Sequence, residues 1–136
     1  MTIETADART REKPRITLSA EDYRQLSRLA NAASNKAPDL SAELAEEIAR
    51  AHVLAEGRPD QTVCMNSEVE FRDDSIGRRQ TVTLVYPQEA DISQRKVSVL
   101  TPVGTALVGL RCGDSITWAT PAGEVRRLTV LAVREP

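Results

Sequence analysis

The sequence predicts an α+β protein: an N-terminal antiparallel helical hairpin followed by a small antiparallel sheet that carries one short helix. Three observations predict it. Apolar residues recur at three- and four-residue steps over the first part of the chain and at two-residue steps after Asp60. The segment Asn35-Lys36-Ala37-Pro38-Asp39 splits the first part into two stripes of similar length. Two prolines and four glycines punctuate the stretch LTPVGTALVGLRCGDSITWATPAGEV, residues 100–125, as short helix, turn, strand and hairpin.

Residues 1–15 are charged and unpatterned and read as a disordered tail that becomes ordered at Ile16. Ser19 then suits a helix N-cap, with Glu21 and Asp22 in the first turn, where carboxylates favour the helix dipole. Tyr23, Leu26, Leu29, Ala30 and Ala33 form one helical face. Pro38 disfavours helix at the residue before it, and Asp39 can cap the second helix. The second stripe runs through Leu40, Leu44, Ile48, Ala51 and Ala55 and stops before Gly57-Arg58-Pro59, with His52 near the hairpin base. Both stripes are narrow and alanine-rich, which predicts an exposed, closely packed short coiled coil over 16–57.

The remainder, 58–136, reads as the sheet domain. Val63, Met65, Val69 and Phe71 suggest a first strand, and Asp73-Asp74 with Ile76-Gly77 supply a turn. A strand over 81–86 comes next, then a polar loop. Thr101 can cap a short helix with Pro102 at its first position. Cys112-Gly113-Asp114 turns the chain, 115–120 form a strand, Pro121-Ala122-Gly123 a hairpin turn and 124–133 the last strand.

Composition bounds the function. The 136 residues carry a net charge of -2, which argues against wholesale nucleic-acid binding. Aromatic residues make up only 3%, so the core must come from Val, Leu, Ile and Ala. No secretory or membrane-spanning pattern is visible, and Cys64 and Cys112 suit two reduced thiols, so a cytoplasmic protein is expected. Neither a Cys/His cluster nor a phosphate-binding glycine loop is present, so no metal or cofactor is expected. His52, the single histidine, has no nucleophile near it in sequence and reads as structural. Glu43, Glu46, Glu47 and Glu56 read as a solvated acidic face.

The segments CMNSEVEFRD, TLVYP and SVLTPVGTALVGLRCGD, in this order behind a helical hairpin, resemble the GreA/GreB transcript-cleavage factors. They resemble still more closely the Rnk family, the regulators of nucleoside diphosphate kinase, over roughly 14–133. The resemblance implies an FKBP-like fold for the C-terminal domain. It also implies binding to RNA polymerase, with the C-terminal domain docking at the rim of the secondary channel. Any link to nucleoside diphosphate kinase would then be an indirect effect on its level. The implied contacts are Asp39 and Glu43 at the hairpin tip, and Thr101, Pro102 and Val103 at the start of the short helix, as polymerase-docking candidates.

In cleavage factors an acidic tip helps hold catalytic Mg²⁺. Here Ala42 stands where that motif has its glutamate and Glu43 comes next, a displacement of about 100° on a helix. An arm of roughly 24 Å at ~1.5 Å per residue is also short for that task. A non-enzymatic regulator that docks without cleaving and competes with cleavage factors is therefore expected, acting as a monomer that neither enters membranes nor reads nucleic-acid sequence. The alternatives are a weak cleavage factor using Asp39 and Glu43, or a general protein-binding adaptor. The FKBP-like fold also admits prolyl isomerisation, but Phe71, Tyr86 and Trp118 are too few aromatics for such a pocket, and core packing is expected of Trp118.

Overall fold

Residues 14–120 and 122–135 are described by a computed structural model. Most of the expected tail and Pro121 lie outside them.

The hairpin begins as its sequence requires. The Ser19 hydroxyl accepts from the Asp22 amide at 3.1 Å and caps Ala20–Ala32 (α1). After a short turn the chain enters Pro38–Ala49 (α2), with Pro38 in the first turn and Ala37 as the cap residue. Asp39 is thus not the N-cap. Proline's fixed φ and missing N–H suit the first helical position, which moves the cap to the residue before it. Small residues let the helices approach, and the Ser41 hydroxyl donates to the Ala30 carbonyl across the pair.

Helix α2 also ends earlier than its stripe suggests. His52–Leu54 (β2) leave the helix and pair in parallel with Thr17–Ser19 (β1), and the His52 amide donates to the Ile16 carbonyl at 2.9 Å. Ala51 and Ala55 are therefore off the helix, and His52 lies on a strand. The backbone just before α1 offers hydrogen bonds at this point, and that pairing outweighs the continued helical spacing of small residues.

The sheet comprises Glu68–Asp73 (β3), Arg78–Val85 (β4), Lys96–Ser98 (β5), Ser115–Ala119 (β6) and Val125–Arg134 (β7), in the order β5-β4-β3-β7-β6. Pairing is antiparallel except at one edge, where β5 runs parallel to β4. The expected all-antiparallel sheet needs that correction. Two 3₁₀ turns, Pro87–Glu89 and Ile92–Gln94, carry the chain back so that β5 re-enters in the direction of β4. Val63 and Met65 belong to a buried loop rather than a strand. Asn66 at φ 71° breaks the extended chain, and the Val63 amide donates instead to Leu110.

Helix α3, Pro102–Leu107, closes one side of the sheet. Gly109 then turns with φ 82°, and a Cβ there would stand 2.6 Å from the Ile16 Cβ. The Thr17 amide donates to Gly109 and the Gly109 amide donates to Val63, so this glycine fastens the hairpin base to the sheet domain. Leu26, Leu44 and Ile48 from the hairpin share one buried cluster with Val69, Leu84, Leu107 and Leu128. The helices are therefore not a free-standing arm: their apolar stripes face the sheet domain.

Candidate functional site

The tip of the hairpin and the start of α3 meet. Asp39 and Glu43, four residues apart on α2, fall on one helical face. With Ala37, Pro38 and Leu40 they line a recess of about 430 Å³ whose far wall is Pro102, Ala119 and Thr120. A second recess, of about 320 Å³, shares Glu43, Pro102 and Ala119 and continues past Thr105 and Ile116 to Trp118 and Val125. The two form one groove between α2, α3 and the β6–β7 hairpin.

The docking candidates at α3 divide by role. The Thr101 hydroxyl donates to the Ser98 carbonyl at 2.7 Å and accepts from the Gly104 amide at 3.1 Å, so both its hydrogen-bonding functions serve the cap. Val103 packs against the core. Of the three, Pro102 lines the groove. Asp39 and Glu43 are exposed at its rim.

Trp118 is the groove residue that sequence reasoning missed. It packs against the core, as expected, and also lines the groove, while its buried indole N–H has no hydrogen-bond partner among the described residues. An unpaired buried donor of this kind costs about 1–3 kcal/mol. No periodicity signals this, because the facing helix comes from a distant part of the chain. Neither Phe71 nor Tyr86 lines this groove.

Of the acids read as a solvated face, Glu47 departs from expectation. It is 6% exposed and its carboxylate pairs with Arg50, whose guanidinium also donates to the Pro14 carbonyl at 2.9 Å. Glu56 lies beyond β2 and is not on the helix. Among the described residues no group of three or more His, Cys, Asp or Glu is gathered to hold a metal ion. Cys64 is buried and Cys112 exposed, both as free thiols, and burial pushes the Cys64 thiol up. No helix among the described residues is long and apolar enough to cross a membrane. Chemically, the groove offers apolar walls and two rim carboxylates, which suits a protein element bearing apolar and basic side chains.

Comparison with known proteins bears on both halves. Residues 58–135 match the family described as "Transcription elongation factor, GreA/GreB, C-term", and residues 14–54 match "Rnk N-terminus". The chain is 38% identical over 120 residues to the regulator of nucleoside diphosphate kinase of Escherichia coli (strain K12), covering 88% of each chain. It is 35% identical over 92 residues to transcription inhibitor protein Gfh1 of Thermus aquaticus, 66% of this chain and 57% of that one. Among solved structures it is similar to a prokaryotic transcription elongation factor GreA/GreB from Nitrosomonas europaea. The identity there is 41% and the TM-score 0.69, over 90% of this chain and 99% of that one.

Proposed function

The chain belongs to the GreA/GreB transcription elongation factor family and carries the Rnk N-terminus, and from that premise we propose that it binds RNA polymerase at the secondary channel without cleaving transcripts. In this reading the groove is the docking surface, the cleavage factors are competitors, and the protein acts as a cytoplasmic monomer without a cofactor. The division into hairpin 16–57 and sheet domain 58–136 belongs to the same proposal. Any effect on nucleoside diphosphate kinase is an indirect change in its level.

The observation that carries the reading is the meeting of Asp39 and Glu43 with Pro102 in one groove. A helix of 13 residues is about 20 Å long at ~1.5 Å per residue, and α1 has that length. Because the tip acids lie against the sheet domain, they are suited to gripping a basic partner element at the rim of the channel rather than to reaching a distant catalytic centre. Relatives named for elongation and for inhibition of transcription both fit a shared docking body with differing outcomes.

The test uses stalled, backtracked polymerase complexes, scored for transcript cleavage. This protein alone is expected to give none, and added to a cleavage factor it is expected to slow that factor. Replacing Asp39 and Glu43 together by Ala should weaken the competition by about tenfold, the effect of losing a little over 1 kcal/mol from paired charges. Cleavage by the protein alone would favour the weak cleavage factor. Absence of competition would favour a general adaptor.

A further inference from the structure

The open edge of the sheet lies away from this groove, and its backbone and side chains carry a separate inference. Strand β5 pairs with Thr83–Val85, so among the described residues the first part of β4 has no strand beside it on that side. The Thr83 amide donates toward the β5 side, to Arg95, and the Val85 carbonyl accepts there from Val99. By strand alternation the N–H and C=O groups of Arg79 and Thr81 point along the same edge.

A cleft of about 420 Å³ opens along this edge, lined by Arg78, Arg79 and Arg95 with Val82, Ile92 and Val97. Arg78 and Arg95 make no ion pair among the described residues, and Arg79 has only Glu70 at 3.6 Å, with its own side chain 71% exposed. Ile92 is 90% exposed although the turn that carries it is internally hydrogen-bonded. Asp91 caps that turn by accepting from Ser93 at 3.0 Å, and the Arg95 amide donates to Ile92 at 3.0 Å. The site therefore presents main-chain groups, three guanidinium groups and an apolar wall together.

We propose that the Arg78–Val82 edge of β4 receives an extended acidic segment of a partner protein as an added strand. Main-chain hydrogen bonds to Arg79 and Thr81 supply the register. Carboxylates of the incoming segment meet Arg79 and Arg95, and its alternate apolar residues lie on the opposite face, which Val97 shares with Val82. Charge decides the occupant. Three arginines repel a second copy of this basic edge, which protects the sheet from self-pairing, yet they attract an acidic strand. A nucleic-acid backbone would satisfy the same charges, but no aromatic side chain lines the cleft to stack a base, and it has no use for the sheet edge. This contact is independent of the polymerase groove and stands or falls separately from it.

The experiment is amide hydrogen exchange on the full ¹⁵N-labelled chain with an acetylated peptide of four Glu-Val repeats, beside a Lys-Val peptide and a fifteen-residue oligo-dT. The Glu-Val peptide is expected to slow exchange at Arg79 and Thr81 by about tenfold or more, while Gln80 and Val82, which face β3, change little. Replacing Arg79→Glu with Arg95→Glu, both on exposed side chains, should cut the peptide's affinity by about tenfold or more, and added salt should weaken it in the native chain. Slowed exchange absent from Arg79 and Thr81 would overturn strand addition. Equal binding of the Lys-Val peptide, or tighter binding of oligo-dT, would overturn the acidic protein segment as its occupant.

Discussion

The carboxylate of Asp22 lies in the first turn of α1 but points into the protein, where it accepts from the Met65 amide at 3.1 Å. Burial raises its pKa, and the Met65 hydrogen bond and the charge of Arg58 oppose that rise. The folded protein thus holds this proton more tightly than the unfolded chain does. Its contribution to stability is fully present below the ordinary carboxylate pKa and is lost as pH rises through the raised folded value. Asp22→Asn keeps an acceptor for Met65 and removes the titration. Denaturant unfolding followed from about pH 4 upward should show the native protein losing stability relative to this variant. Parallel curves would mean that the carboxyl titrates alike in both states. The first-turn position was readable from sequence; the inward orientation was not, because Met65 is brought to it by the fold.

At the scale of elements, α3 depends on contacts tighter than its length suggests. A Cβ on Gly104 would stand 2.2 Å from the Ser98 carbonyl oxygen and 2.8 Å from the Val99 Cα, both backbone atoms. Only a shift of α3 or of the chain leaving β5 could relieve this. Gly104→Ala is expected to cost about 3 kcal/mol in urea unfolding and to disturb the groove through Pro102. Gly113 separates the two kinds of glycine. A Cβ there meets nothing within 4 Å, but φ is 96°, so Gly113→Ala should cost only about 1–2 kcal/mol through backbone strain. Equal costs would remove the distinction between close packing and conformation. The Thr101 cap and Pro102 start were legible because capping is decided by neighbours in sequence. The parallel entry of β5 was not, since strand direction depends on where the preceding turns return the chain.

For the whole molecule, the shared core decides how the hairpin behaves. Leu44 is fully buried, in the same cluster as Val69 and Leu128. Leu44→Ala is expected to cost about 2–5 kcal/mol, a large part of the ~5–15 kcal/mol typical of a domain. If hairpin and sheet unfold as one unit, amide exchange at Val69 and Leu128 should accelerate together with that at Leu26. Acceleration confined to the helices would show that the hairpin opens alone, as an independent arm would. The cooperative outcome fits a tip held beside α3.

By itself the sequence determined the helical hairpin, its Ser19 cap, the turn at 73–77, the short helix at Pro102 and the family to which these belong. Each is governed by interactions among residues a few positions apart, or by motifs whose order survives in a linear chain. Only the tertiary structure decided that 52–54 leave the helix to pair beside 17–19, that the apolar stripes of the hairpin turn toward the sheet, and that Asp39, Glu43, Pro102 and Trp118 border one groove. Those outcomes rest on burial of apolar surface and on backbone hydrogen bonds between distant segments, whose free energies exist only once the segments have met.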